Sequence, residues 1–417
     1  MRTISTALVA CALGFVHGSA AEASTETVLY SFCSHQNCTD GKQPRSSVIY
    51  VNGILYGTTG LGGNGCCGTL FSLDPNTGVE TVLHSFPGSS GDGYFPSADL
   101  INVGSTLYGM TAEGGAYGYF GEYTGTVFSF SLTNNAETVL YSFCSRRSCH
   151  DGSYPDGGVI VGNKLYGTTL FGGKYGNSTL GGTLFSLNLE TGEKRRLQSF
   201  QYSSADGEGP EGSPVDVHGT LYGVTFDGGT GGCSGTGFAG CGTVFSFDRK
   251  TRTETVLHSF LANGTDGALP YSGVIKVDNK LYGTTFAGGT GNCSGWFGIG
   301  CGTVYSINLK TGAEKILYFF CSQQKCTDGG EPYAALINVN GTLYGTAGGG
   351  AHGGGAVFSI DPKTGAETVV YSFCSQTNCT DGETPNYASL TEANGTLYGT
   401  TLDGGTYNNG TVFSITP

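Results

Sequence analysis

The sequence predicts an all-β fold, a seven-bladed β-propeller with four strands per blade. Three observations predict it. A tripeptide recurs seven times, every repeat holds four strand-like runs, and the first run supplies the piece that the last repeat lacks. Composition agrees. The 417 residues include 74 Gly but only 2 Met and 1 Trp, and charged residues make up 12%. Long helices draw on Ala, Leu, Glu and Lys, and this chain favours Gly, Thr, Ser, Tyr, Phe and Val instead. The Gly residues keep no strict three-residue period, which excludes collagen. Hydrophobic residues reach 38%, too many for a typical disordered chain.

The tripeptide is Leu-Tyr-Gly, with its Tyr at 56, 108, 166, 222, 282, 344 and 398. Self-similarity at such a period marks a repeat architecture. The sixth repeat shows the elements in order. Strand A (336–339) is a short apolar run that follows a Pro. An Asn-Gly turn leads to strand B (342–346), which carries Leu-Tyr-Gly. A Gly-rich loop leads to strand C (356–361), with an aromatic at its centre. The turn Asp361-Pro362-Lys363-Thr364-Gly365 then leads to strand D (367–373). Gly, Pro, Asn and Asp at these joints are turn residues for distinct stereochemical reasons. A β-solenoid is the rival reading, but its coils are usually shorter than about 57 residues.

An Asp-Gly turn follows strand D in every repeat, at Asp40, Asp92, Asp151, Asp206, Asp266, Asp328 and Asp381. Its recurrence predicts a role in the fold rather than a ring of cation ligands. The run at 26–32 is of D type and the run at 410–415 is of C type. Pairing them completes the seventh blade and closes the ring, so no polar caps are needed.

The N-terminus reads as a signal peptide over residues 1–23, with the propeller over 24–417. Arg2 precedes an apolar run too short for a stable membrane anchor, and Ala21-Glu22-Ala23 is a small-x-small cleavage pattern. Leu8-Val9-Ala10-Cys11 offers a rival lipoprotein box. The other fourteen cysteines fall into local pairs, which fits an oxidising compartment. Four pairs are Cys-x4-Cys: Cys33 with Cys38, Cys144 with Cys149, Cys321 with Cys326, and Cys374 with Cys379. Two are Cys-x7-Cys: Cys233 with Cys241, and Cys293 with Cys301. The last joins the neighbours Cys66 and Cys67. No pair has Cys-x2-Cys spacing with a neighbouring His pattern, so disulfides are expected in place of zinc. The expected location is secreted or periplasmic.

The string Gly-x-Leu-Tyr-Gly-Thr-Thr, Gly-Gly, Gly-Thr-Val-Phe-Ser, Glu-Thr-Val-Leu-Tyr-Ser-Phe, Asp-Gly-x-x-Pro resembles the GloVer-type tandem repeat of secreted bacterial "choice-of-anchor" proteins. The likeness covers residues 26–417, with its core at 341–347 and 395–401. It implies export and a propeller-like fold, and no established activity. The sorting tail that members often carry does not occur in these residues.

Function is less legible. A net charge of −13 with no basic run argues against nucleic acid. No transmembrane segment, cofactor or resident metal is expected. The seven His follow no metal-ligand spacing, and His84 and His258 read as variants of a strand-D Tyr. All length variation falls in the D–A and B–C loops, and so do the cysteines, which makes that face the expected binding face. The position after the Pro that opens strand A breaks the repeat. It reads Arg45, Ser97, Asp156, Glu211, Tyr271, Tyr333 and Asn386, near the central channel. Asp156 and Glu211, with Glu208 nearby, are candidate catalytic carboxylates, candidate Ca²⁺ ligands or solvated loop charges. Tyr119, Phe120, Tyr123, Phe238, Trp296 and Phe297 in the B–C loops are candidate ligand contacts. The expectation is a non-catalytic binding scaffold for a glycan or an extracellular protein. The rival is a carbohydrate-active hydrolase or lyase at the channel mouth.

Overall fold

The computed structural model describes residues 24–88, 91–117, 124–176, 181–201, 205–233, 238–291, 293 and 298–417. Seven antiparallel sheets form the blades, each joining its four strands in the order A-B-C-D. Blade 1 is Ile49–Val51, Ile54–Thr59, Thr69–Leu73 and Glu80–Ser85. Blade 7 takes its D strand from Thr25–Ser31, which pairs with Thr411–Thr416 in strand C. The ring thus closes as the sequence predicts. Candidate residues in 1–23, including Cys11, lie outside the described residues.

Every strand D carries a one-residue register shift against strand C, as between Val28 and Tyr30 or Val139 and Tyr141. Such a bulge sharpens the local twist. The core lies between blades. The Phe at the end of each strand D packs against the strand-C aromatic of the next blade, edge-on in six pairs and tilted in Phe200–Phe245. The pairs are Phe32–Phe71, Phe86–Phe128, Phe143–Phe185, Phe200–Phe245, Phe260–Tyr305, Phe320–Phe358 and Phe373–Phe413, with ring centroids 4.9–5.3 Å apart. This geometry suits the ring quadrupoles. It also explains the Gly of Leu-Tyr-Gly. Gly57 pairs with Phe71 across strands B and C, and a Cβ there would sit 2.7 Å from the Phe71 ring.

All seven expected disulfides are present, each closing a local loop. Cys33 is bonded to Cys38, Cys144 to Cys149, Cys321 to Cys326, and Cys374 to Cys379. Cys233 is bonded to Cys241, Cys293 to Cys301, and Cys66 to its neighbour Cys67. Cys67, Cys149, Cys233, Cys241 and Cys301 are buried. Each bond braces its own loop. Cys38 and Cys149 each lend a carbonyl that accepts from the Gly of the following Asp-Gly turn, at 2.9 and 2.8 Å.

In the Cys-x4-Cys loops the chain folds around the Asp-Gly aspartate. Asp40 is fully buried and accepts from the Tyr30 hydroxyl at 2.8 Å, the Ser34 N–H at 2.8 Å and the Ser34 hydroxyl at 2.9 Å. Asp151, Asp328 and Asp381 repeat the arrangement with Tyr141, Tyr318 and Tyr371. A buried carboxylate with three donors is satisfied, so this residue serves the fold.

The strand-D Glu of the next blade reaches the same spot. Glu26 lies beside Asp381, Glu80 beside Asp40, Glu137 beside Asp92, Glu254 beside Asp206, Glu314 beside Asp266 and Glu367 beside Asp328. At the remaining junction, Lys194 stands in the Glu position beside Asp151.

Candidate functional site

The D–A and B–C loops share one face and bridge to each other, as at Lys42–Leu61, Gly330–Gly348 and Glu383–Asp403. On that face a cavity of about 430 Å³ opens into the central channel. The residues after the strand-A Pro line it in six blades: Arg45, Ser97, Asp156, Glu211, Tyr271 and Tyr333. In blade 7 a short 3-10 turn, Pro385–Tyr387, sets Tyr387 in the cavity instead of Asn386. Asn386 is buried and donates to the Glu331 carbonyl at 3.3 Å.

Backbone irregularity places the two carboxylates. Strand A of blade 3 (Ser153–Val161) shifts register between Pro155 and Gly158, which frees Asp156 from the ladder. Strand A of blade 4 (Glu208–Val217) shifts between Glu211 and Val215. Bulges re-aim side chains in this way. Asp99 of blade 2 joins them and accepts the Ser47 N–H at 2.8 Å. Burial lifts the Asp156 carboxyl to about 6. The Gly212 N–H, donating to its Oδ2 at 2.5 Å, opposes that lift, and Asp99 adds to it. Burial, then the Asp156 charge, raises Glu211 well above the usual carboxylate range. The pair therefore holds a proton in the mildly acidic range.

The other side of the cavity is a collar of stacked rings. Phe226 stacks on Tyr271 at 5.5 Å, Tyr271 on Tyr333 at 4.4 Å, and Tyr333 meets Tyr387 at 4.9 Å. The Arg45 guanidinium continues the stack, 5.4 Å from Tyr387 and 5.2 Å from Phe95. Both faces of Tyr271 are covered by neighbours, so the cavity meets ring edges and hydroxyls. Arg45 is the one cation among the described residues that line the cavity. Sequence reading found Tyr271 and Tyr333 but missed Phe95, Tyr154 and Tyr387. The first two sit just before the Pro, on the other side of it from the position that breaks the repeat.

The remaining candidates fall elsewhere. The Glu208 carboxylate accepts the Gly181 N–H at 3.2 Å and is not part of the cavity wall. Phe238 turns inward against Phe226, 5.5 Å away and edge-on, where it buttresses the collar. Tyr119, Phe120, Tyr123, Trp296 and Phe297 lie outside the described residues. Sequence spacing hides one cysteine juxtaposition: one sulfur from each of Cys293, Cys301, Cys321 and Cys326 lies within 4.8 Å of the others. They form two neighbouring disulfides, and a disulfide offers no thiolate to a metal.

A closed propeller with a mixed polar and aromatic cavity on its disulfide-braced face defines the class of protein. The chain belongs to the Gloeobacter/Verrucomicrobia repeat family, whose model matches residues 13–238 and 231–417. No curated protein sequence matches it significantly. Among solved structures it is similar to an oligogalacturonate lyase from Vibrio parahaemolyticus. The TM-score is 0.51 at 10% identity, covering 94% of this chain and 97% of that one. It is also similar to a Mycobacterium tuberculosis puromycin-hydrolyzing peptidase, with a TM-score of 0.52 at 12% identity, covering 89% of this chain and 52% of that one. At such identities the likeness shows the fold alone. No helix among the described residues is long and apolar enough to cross a membrane.

Proposed function

We propose that this is an exported, non-catalytic binding protein that takes a neutral saccharide in the channel mouth. The observation that carries the reading is the cavity itself. Three carboxyl groups on one wall face phenolic residues on the other, and the collar holds those phenols in place. Preorganised hydroxyl and carboxyl groups suit a polyhydroxylated ligand, because each sugar hydroxyl both donates and accepts. The acidic wall disfavours uronates and phosphorylated sugars. Seven disulfides support a location outside the cytoplasm, at the cell exterior or in the periplasm.

A glycan array of the mature protein tests this, with Tyr333→Phe and Glu211→Gln beside wild type. Neutral glycans should bind, and each variant should lose at least tenfold in affinity. Binding confined to anionic glycans, or hits unchanged in both variants, would overturn the reading.

The unequal carboxyl pair favours one second reading, a carbohydrate-active hydrolase or lyase. Glu211 would donate the proton and Asp156 act as base. That reading requires turnover of a neutral polysaccharide that Glu211→Gln abolishes. Turnover that persists in the variant, or none across a neutral polysaccharide panel, removes it.

A further inference from the structure

We propose that two blade junctions are built as binding sites for a divalent transition metal of the Zn²⁺ class. One consists of His84, Asp92 and Glu137, the other of His258, Asp266 and Glu314. In each, one ligand atom from every residue lies within 4.8 Å of the other two. The two sites stand at equivalent places in the ring. His84 and His258 occupy the strand-D position that Tyr30, Tyr141, Tyr318 and Tyr371 hold in sister blades. The Asp comes from the Asp-Gly turn that follows, and the Glu from the next blade.

The geometry suits a metal at both. His Nε2 and Asp Oδ2 are 3.2 Å apart in each. That is close to the edge of a tetrahedron with metal bonds near 2.0–2.1 Å, about 3.3 Å. The other Asp oxygen is already oriented by a backbone donor, the Gly93 N–H at 2.7 Å or the Gly267 N–H at 2.7 Å. Outer contacts of this kind fix ligand direction. Phe86 and Phe260 set the imidazole planes, edge-on at 4.8 Å.

Glu137 Oε1 and Glu314 Oε1 are buried without a hydrogen-bond partner, as is the same oxygen of Glu26, Glu80, Glu254 and Glu367 at the other Glu junctions, so what sets the two His junctions apart is the imidazole beside the carboxyl pair. At Tyr junctions the phenol brings a proton to the Asp, as Tyr30 does to Asp40 at 2.8 Å. At the His junctions the imidazole Nε2 is within hydrogen-bond reach of the same carboxylate, at 3.2 Å, and a bound metal would take the place of that proton. At the Tyr141 junction, where Lys194 replaces the Glu, the amine takes the place beside Asp151. The donor set of one imidazole and two carboxylates suits Zn²⁺ or Co²⁺. It is too small for Ca²⁺, which takes six to eight oxygens. The His and Asp side chains remain partly solvent-accessible, which leaves a fourth position for water. Each ion would clamp neighbouring blades through ligands from both.

The test uses the full oxidised protein, stripped with chelator and titrated with Zn²⁺ alone by calorimetry. Two ions per chain are expected. His84→Tyr and His258→Tyr, which install the sister-blade residue, should each reduce the count to one, and together to zero. Glu137→Gln should weaken one site at least tenfold and leave the other intact. Co²⁺ should give visible d–d bands that the double Tyr variant loses while its far-UV spectrum stays native. Absence of saturable Zn²⁺ binding, or a stoichiometry unchanged in the double variant, would overturn the proposal. The second result would assign the metal to surface imidazoles. Neither outcome bears on the channel.

Discussion

Replacing Glu80 with Gln should change how stability depends on pH. Burial, reinforced by the Asp40 charge, lifts the Glu80 carboxyl from 4.5 to about 8. Its folded value exceeds its unfolded one, so the folded state holds a proton that the unfolded state releases. Stability from this group is complete below about pH 4.5 and is lost as pH rises through about 8. Each pH unit of lift corresponds to ~1.4 kcal/mol. The side chain is only partly buried, so solvent screening reduces the nominal value by more than half, to about 2 kcal/mol. The amide of Gln keeps the shape, cannot ionise and can donate to Asp40. Urea melts at pH 5 and pH 9 measure the effect. Wild type and Glu80→Gln should agree at pH 5, and the variant should be more stable by about 2 kcal/mol at pH 9. A difference between the two proteins that stays flat across this range would refute the reasoning.

Lys194→Met should show the opposite slope. Burial pulls the Lys194 amine down from 10.5 to about 7, so wild type gains stability as pH rises through that window, and the variant should not. Phe32→Ala removes a fully buried ring from the closing blade and should cost about 3–5 kcal/mol in denaturant melts. Gly345→Ala drives a Cβ to 2.6 Å from the Phe358 ring, so a loss of about 1–3 kcal/mol is expected, read as a lowered melting midpoint.

The fold was legible because every device in it recurs. The Gly of Leu-Tyr-Gly, the strand-C aromatic and the strand-D Phe each have one packing job, and seven copies reveal the job. The disulfides were legible because each partner is close in sequence, so Cys38 or Cys241 has one near neighbour to bond. The cavity was legible in part for the converse reason. The position holding Arg45, Asp156 and Tyr333 departs from the repeat, and the channel is where blades differ. Tyr387 escaped because a 3-10 turn moved the cavity position by one residue in blade 7. Phe95 and Tyr154 escaped because they stand on the other side of the Pro. The His84 cluster was hidden more deeply. Its three ligands come from two blades, so no sequence spacing joins them. Its visible signal is the double replacement of Tyr by His, which in a single sequence looks like drift. The burial that lifts Asp156 and Glu211 depends on bulges that no local pattern announces.

Ring closure also has a kinetic side. Thr25 pairs with Thr416, so the closing contact joins the first and last strands of the propeller. Contacts of that separation form late, since loop entropy must be lost before they return anything. Until then the last blade presents an unpaired edge, the kind of surface on which β proteins aggregate. The disulfides follow the opposite rule: none spans more than eight residues, so each can form while the chain is still arriving. Disulfides and blades can therefore form one after another along the chain, while the final strand exchange waits for the whole chain. A circular permutant that begins at a strand A and ends at a strand D would remove that wait. It would also trade the strand-to-strand lock at the closure for a junction between two complete blades.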